Sequence, residues 1–505
     1  MKFFHIFRTV SFLSILATFS AFSQNYEISI AINNSNDTVI LGNYFTKKEP
    51  KYSVETIVLK NGKGVFRGDK KLPRGIYFIY SDAGSVFFEI IIGDNQQFGI
   101  MADTTDLFNR IRFTNSSEND VFYEFQRDNI NRNRQTQQLN EELKNASSDD
   151  EKNEIRDQMQ RILIKERLKY IEKLIDENSN LYVSKFIRAT VPPEIYMPEP
   201  PRDDEGNITD HEFQRRWYRT HFFDNLNIFD PDMLRTYFYE DKLLDYVTKV
   251  IPQITDTVCV EIDKIMEKAL VNDEIFRCVL VNLYNNYSKS IDKVIMENGV
   301  FPENVWIHLL EKWYIPHARF STEEFIENRK EDVKNRKPNL IGKHAPPMEQ
   351  LMVLPSEHFR AAALDTAIKF DVQAGRMVED FRKELKSKYT LLFFWDYTCG
   401  HCKSAFPKLL TLWEEWKDKG LDVIAVQVVA SKEAKGKSID YLNEQNMLGW
   451  TNAWCPFTYK YKELYNLSNT PKLFLLDEKG DIILNRIGVE NLVEFFNAQQ
   501  PISQE

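Results

Sequence analysis

Three kinds of apolar–polar pattern follow one another along this 505-residue chain. The first is alternation. Tyr26-Glu27-Ile28-Ser29-Ile30-Ala31-Ile32 and Ser53-Val54-Glu55-Thr56-Ile57-Val58-Leu59 switch between polar and apolar positions, the period of a half-buried strand. Asn61-Gly62-Lys63-Gly64 supplies hairpin turn residues, and 75–80 and 86–92 read as further strands, the latter buried on both sides. Short strands at near-regular spacing predict an antiparallel β-sandwich over residues 24–115. No His, Asp, Glu or Ser in this stretch has catalytic spacing.

From about residue 118 to 337 the period becomes helical. Ile155, Met159, Ile162, Leu163, Ile171, Leu174 and Ile175 lie near one face of a long charged helix, and Ser147-Ser148-Asp149-Asp150 sits where a helical hairpin would turn. Residues 191–207 hold five prolines and read as a loop. Asp230-Pro231 is an N-cap followed by an N1 proline, and Ser321 with Glu324 fits a capping box. Trp217, Tyr218, Phe222, Phe223, Tyr237, Tyr239, Trp306, Trp313 and Tyr314 make the region dense in aromatics. They read as the core of an all-α domain over 116–338, the alternative being a groove for a substrate peptide. His308 and His317, nine residues apart, read as structural.

The third pattern, from Asn339 onward, alternates buried-strand runs with amphipathic stretches and predicts an α/β domain over 339–505. Leu391-Leu392-Phe393-Phe394-Trp395 is a fully apolar strand. A helical pattern carried by Phe406, Leu409, Leu410, Leu412 and Trp413 follows it. Strands at 421–429 and 482–487 and helices at 438–447 and 489–498 complete the series.

Composition narrows the class. Hydrophobic content of 43% and charged content of 28% suit a soluble multi-domain chain, and a net charge of −10 leaves no basic footprint for nucleic acid. Residues 1–23 differ: Lys2 and Arg8 precede an apolar run from Val10 to Phe22, and Ala21-Phe22-Ser23 resembles a cleavage site before Gln24. This predicts a secretory signal peptide and an exported protein, in the periplasm of a Gram-negative bacterium, with no stable membrane span after cleavage. An uncleaved anchor is the alternative, for which the run is short.

Five cysteines are few for an exported chain of this size. Cys259, Cys278 and Cys455 read as buried apolar residues, a Cys259–Cys278 disulfide being the alternative. Cys399 and Cys402 are different, because they close the apolar strand and open the helix. A cysteine at a helix start lies beside unpaired N–H groups and the positive dipole end, which favour the nucleophilic thiolate. The dipole supplies about 0.3–1 kcal/mol, up to ~2 when partly buried, against about 1.4 kcal/mol per pKa unit. It cannot alone make a very acidic thiol, so the Cys402 thiol, His401 and Lys403 are expected to add to it. Zinc would want a second cysteine pair or a Cys/His pair nearby, and no metal is expected.

Cys399-Gly400-His401-Cys402, with Pro407 eight residues after Cys399, resembles the active site of the thioredoxin superfamily in its protein-disulfide-isomerase form. Thr470-Pro471 before Lys472-Leu473-Phe474-Leu475-Leu476-Asp477 matches that family's cis-proline strand, with Asp477-Glu478-Lys479-Gly480 as the hairpin turn. Asn339-Leu340-Ile341-Gly342-Lys343-His344-Ala345-Pro346-Pro347 resembles the opening of TlpA/ResA-type envelope thioredoxins and of peroxiredoxin-like proteins. The resemblance covers the last third of the chain and implies a thioredoxin fold. In it Cys399 would be the attacking thiolate and Cys402 the resolving thiol, with Gly400 between them and Thr470 and Pro471 meeting the substrate strand. The Cys399–Cys402 disulfide would be the redox carrier, with no other cofactor. The implied partners are proteins with thiols or disulfides and an envelope redox partner.

Two positions depart from the pattern. Six residues before the first cysteine, where many thioredoxins have a buried aspartate, stands Phe393. Three after the second, where the TlpA/ResA type often has glutamate, stands Ala405. Asp396 is the nearest replacement for the missing acid by sequence. Two other readings remain open: an envelope binding or scaffold protein whose dithiol senses redox state, and a thiol peroxidase. The latter lacks its P-x-x-x-T-x-x-C pattern, since Thr398 directly precedes Cys399.

Overall fold

The computed structural model describes residues 25–499 apart from 34–36, 82–86, 104, 292–298, 354–375, 429–431, 446–448 and 456–457; the expected signal peptide 1–23 lies outside them. The chain divides into two units, 1–242 and 243–505.

The first unit opens with β1 (Tyr26–Ile32), β2 (Thr38–Phe45), β3 (Lys47–Val58), β4 (Lys63–Gly68), β5 (Gly75–Ser81), β6 (Phe87–Ile92), β7 (Gln97–Ala102) and β8 (Arg112–Thr114). They form two four-stranded sheets of order β4-β1-β7-β8 and β3-β2-β5-β6. Along β1 the alternation does what it predicts: Tyr26, Ile28, Ile30 and Ile32 are buried and Ser29 is exposed. Asn61 and Gly62 turn the chain with φ of 52° and 75°, a left-handed pair that asparagine and glycine tolerate best. The expectation of antiparallel strands fails in the first sheet at one pairing, because β1 and β7 run parallel from Glu27↔Gln97 to Ile32↔Ala102. A period of two fixes which face is buried but not the direction of a distant partner. Nor is β6 buried on both sides along its length, since Phe87 is exposed and Glu89 half-buried. Its buried end is Ile90–Ile92, where Asn119 exchanges hydrogen bonds of 2.8 and 2.9 Å with the Ile91 backbone.

Asn119 belongs to the 29-residue helix Ser117–Asn145. The chain turns back at Ser148, which caps Asp149–Gln160 by accepting the Glu151 N–H. Buried Glu118 accepts the Tyr182 and Val183 N–H groups at 2.9 and 2.7 Å and so caps helix Tyr182–Ala189.

The second unit begins with helices that include Thr255–Ala269, Asp273–Ser288, Pro302–Leu309 and Glu323–Arg336. Trp306, Trp313 and Tyr314 are buried among them. His308 Nε2 meets Asp263 Oδ1 at 2.8 Å, an intramolecular partnership. The last of these helices is capped by Thr322 and not by Ser321, whose hydroxyl is engaged with that of Tyr314 at 3.0 Å.

A seven-stranded sheet follows, built from β9 (Leu351–Val353), β10 (Arg376–Val378), β11 (Tyr389–Trp395), β12 (Leu421–Gln427), β13 (Thr451–Trp454), β14 (Lys472–Asp477) and β15 (Ile482–Asn485), in the order β10-β9-β13-β12-β11-β14-β15. β11 is central, parallel to β12 and antiparallel to β14, and every one of its residues is buried. That is why its sequence is a continuous apolar run rather than an alternating one. One face of the sheet packs against helices Gly400–Trp416, Lys432–Glu444 and Val489–Ala498, the other against residues such as Ala345, Met348, Phe381, Tyr461 and Tyr465. The chain is therefore multi-domain, with N-terminal β-sheets, a central helical region and a C-terminal α/β part built on a seven-stranded sheet.

Candidate active site

Where β11 leaves the sheet, a short turn leads to Cys399, which is the N-cap of helix Gly400–Trp416. As an N-cap its backbone is extended, at φ −77° and ψ 115°, and its sulfur accepts the Cys402 N–H at 3.3 Å. Its thiol lies 3.2 Å from the Thr470 carbonyl oxygen, 71 residues away in sequence, to which the S–H donates. The Thr470–Pro471 peptide is cis. Cys399 is half-buried, whereas Cys402, one turn along the helix, is fully buried.

These surroundings drive the two thiols apart. Burial works against the Cys399 thiolate, but hydrogen bonds from the Cys402 and Thr470 side chains and from the Cys402 and His401 backbone outweigh it, and the pKa is lowered. For Cys402, burial is the leading cause and the neighbouring Cys399 adds to it. Its pKa is pushed up to about 12.

The remaining expected residues stand at graded distances from this pair. The His401 side chain is exposed, and its contribution to Cys399 comes through its backbone N–H. The Lys403 ammonium lies 5.7 Å from the centre of the Tyr441 ring, not on a cysteine. Gly400 faces open space: a Cβ there would meet nothing within 4 Å. Pro407 sits inside the helix, where its missing N–H leaves the Lys403 carbonyl without its usual helical partner. Asp396 Oδ1 accepts both the N–H and the hydroxyl of Thr398, at 2.8 and 2.9 Å. Asp396 reaches the Cys402 sulfur with its backbone N–H and not with its carboxylate. Phe393 is fully buried, its ring perpendicular to Phe406 at 5.0 Å. Cys278 and Cys455 are buried, the Cys278 sulfur accepting from Asn282 Nδ2 at 3.5 Å, and Cys259 is half-buried. Among the described residues, no three His, Cys, Asp or Glu side chains gather as metal ligands would.

A cleft of about 430 Å³ opens beside the dithiol, lined by residues that include His401, Thr470, Pro471, Lys472, Arg486 and Glu490. Lys472 and Arg486 were not singled out from the sequence. Lys472 stood next to Pro471 as a visible signal. Arg486 and its buried partner Glu303, 183 residues away, gave none.

Residues 387–482 match the thioredoxin-like family model. The chain is 30% identical over 112 residues to Protein DipZ of Mycobacterium bovis, a match covering 20% of this chain and 14% of that protein. It is 27% identical over 110 residues to sporulation thiol-disulfide oxidoreductase A of Bacillus subtilis, covering 22% of this chain and 66% of that one. A solved domain of a possible thiol-disulfide isomerase from Cytophaga hutchinsonii shares 29% identity at a TM-score of 0.25, covering 32% of this chain and 92% of that one. The match thus spans under two thirds of either curated relative. A C-x-x-C pair opening a helix at the end of a central buried strand, opposite a cis-proline, thus lies within the stretch that matches the thioredoxin-like family model.

Proposed function

We propose that the protein is an exported thiol–disulfide oxidoreductase that exchanges disulfides with proteins of the bacterial envelope through Cys399 and Cys402. The observation that carries this reading is the setting of Cys399: an N-cap thiol with a lowered pKa, half-exposed, and facing the Thr470–Pro471 backbone. In the reducing direction, the Cys399 thiolate attacks one sulfur of a partner disulfide. A mixed disulfide forms, and the partner's other sulfur leaves as a thiolate and takes a proton. Cys402 then loses its proton and attacks Cys399 Sγ, expelling the partner's second thiol. The partner has gained two electrons and two protons, and the chain holds a Cys399–Cys402 disulfide. A dithiol redox partner must reduce that disulfide before the next cycle. The opposite direction runs the same bonds backwards. The disulfide is the only redox carrier this scheme needs. An exported setting is supported by the N-terminal pattern of residues 1–23. Among the described residues no helix is long and apolar enough to cross a membrane.

Trapping tests the scheme. Cys402→Ser should accumulate mixed disulfides with envelope proteins, visible as bands lost on reduction, because the resolving thiol is gone; Cys399→Ser should capture none. Equal capture by both variants would remove the division of labour. Capture by neither would favour a dithiol that only senses redox state on a binding or scaffold protein.

A further inference from the structure

The cleft beside Cys399 carries an excess of positive charge built from both parts of the second unit. Lys472 starts β14 directly after Pro471, and Arg486 follows the end of β15, its backbone in the left-handed region at φ 49°. Behind them lies Glu303, in the first turn of helix Pro302–Leu309 and only 6% exposed. Its carboxylate accepts from Asn485 Nδ2 and Arg336 Nη1, each at 2.8 Å, and from Arg486 Nη2. One carboxylate therefore serves two guanidiniums, while Lys472 stands by as a third cation, half-buried. Burial and the repulsion of Arg486 and Arg336 push the Lys472 pKa down, and only Glu303 opposes them. Lys408, also in the cleft lining, is paired with Glu490 at 2.5 Å. Arg336 also meets Asp332 at 3.9 Å, so the surplus at the wall beside the cis-proline rests on Lys472. Among the described residues Lys472 forms no ion pair; a half-buried cation so placed raises the free energy of the cleft, and an arriving carboxylate relieves it.

We propose that Lys472 and Arg486, the latter held in place by Glu303, form an anion-recognising wall beside Cys399, so that the partner of this site is a protein segment carrying Asp or Glu close to its reactive cysteine. The proposal rests on the exchange reading above and specifies its substrate class. Glu303 is a positioning residue in it, since it reaches the cleft only through Arg486. The whole chain, at −10, repels acidic peptides, so a preference for them must arise locally.

The test uses two synthetic peptide disulfides of equal length, one with Glu and one with Lys flanking the cysteine. Second-order exchange rates are measured with the full-length chain at low and high salt. Wild type should favour the acidic peptide by about fivefold at low salt, the scale of a favourable exposed ion pair, and the preference should shrink as salt screens it. Lys472→Met should bring the ratio towards one, and Lys472→Arg should preserve it. The ratio is taken within one sample, so any loss of folded protein cancels. Equal rates in wild type, or an undiminished preference in Lys472→Met, would overturn the proposal alone. If wild type exchanges with neither peptide, the exchange reading falls and takes this one with it.

Discussion

Two thiols one helical turn apart meet opposite surroundings, and the difference is one of exposure and hydrogen bonding. Cys399 accepts the Cys402 N–H at its sulfur and has a pKa below the ordinary thiol value, whereas buried Cys402 is raised to about 12. Only the thiolate is alkylated, so reactivity is present above each pKa and lost as pH falls through it. Iodoacetamide at neutral pH should therefore label Cys399 first. Its rate should climb with pH to a plateau whose midpoint lies below that of a free thiol, with Cys402 following only in strong base. Mapping by mass spectrometry decides the matter. Labelling of Cys402 first, or a Cys399 midpoint above the ordinary value, would show that burial outweighs the donors.

At the scale of elements, β11 and helix Gly400–Trp416 are joined by aromatic contact. Phe393 lies 5.0 Å from Phe406 and 6.3 Å from Trp450, and it is fully buried. Phe393→Ala should lower the stability of the second unit by about 3–5 kcal/mol in denaturant titration, since the large cavity left behind relaxes only in part. A loss below about 1 kcal/mol would mean that the site collapses around the gap. These elements were legible in the sequence because their signals are local. An apolar run, a period of two and an amphipathic period of 3.6 mark β11, β1 and helix Val489–Ala498. The parallel pairing of β1 with β7 was not legible, because 69 residues separate Ser29 from its hydrogen-bond partner Phe98. Strand β2 went unread as well; its Gly42 interrupts the apolar positions and lies under the Phe78 ring, which leaves no room for a Cβ. At the site the same division holds. Cys399, Cys402, Thr470 and Pro471 stand in short recognisable strings, whereas Glu303 and Arg486 meet only after folding.

On the scale of the whole molecule, the second unit joins helices to sheet through a buried charge. Glu303 accepts from Arg336 on one side and from Asn485 and Arg486 on the other, while Asn485 also donates to the Asn339 carbonyl at 2.9 Å. Removing one member of such a group strands its partners away from water, which costs more than the intact group contributes. Glu303→Ala should therefore destabilise the second unit by about 3–5 kcal/mol, read as a lower denaturation midpoint. An unchanged midpoint would mean that the two guanidiniums find water, and that the charge does not couple helix Pro302–Leu309 to β15.

Phe393, set where a carboxylate would stand in the thioredoxin pattern, also has a consequence in time. Among the described residues no carboxylate hydrogen-bonds the Cys402 sulfur, which has the Asp396 amide instead. Once Cys399 is tied up in a mixed disulfide, its repulsion of the Cys402 thiolate ends, but the burial of Cys402 does not. Among the described residues, the proton must then leave without a carboxylate on that sulfur to collect it. Arrival of a partner would be quick and its departure slow, so the dwell time of the joined pair, rather than the frequency of encounters, would set the pace of the cycle.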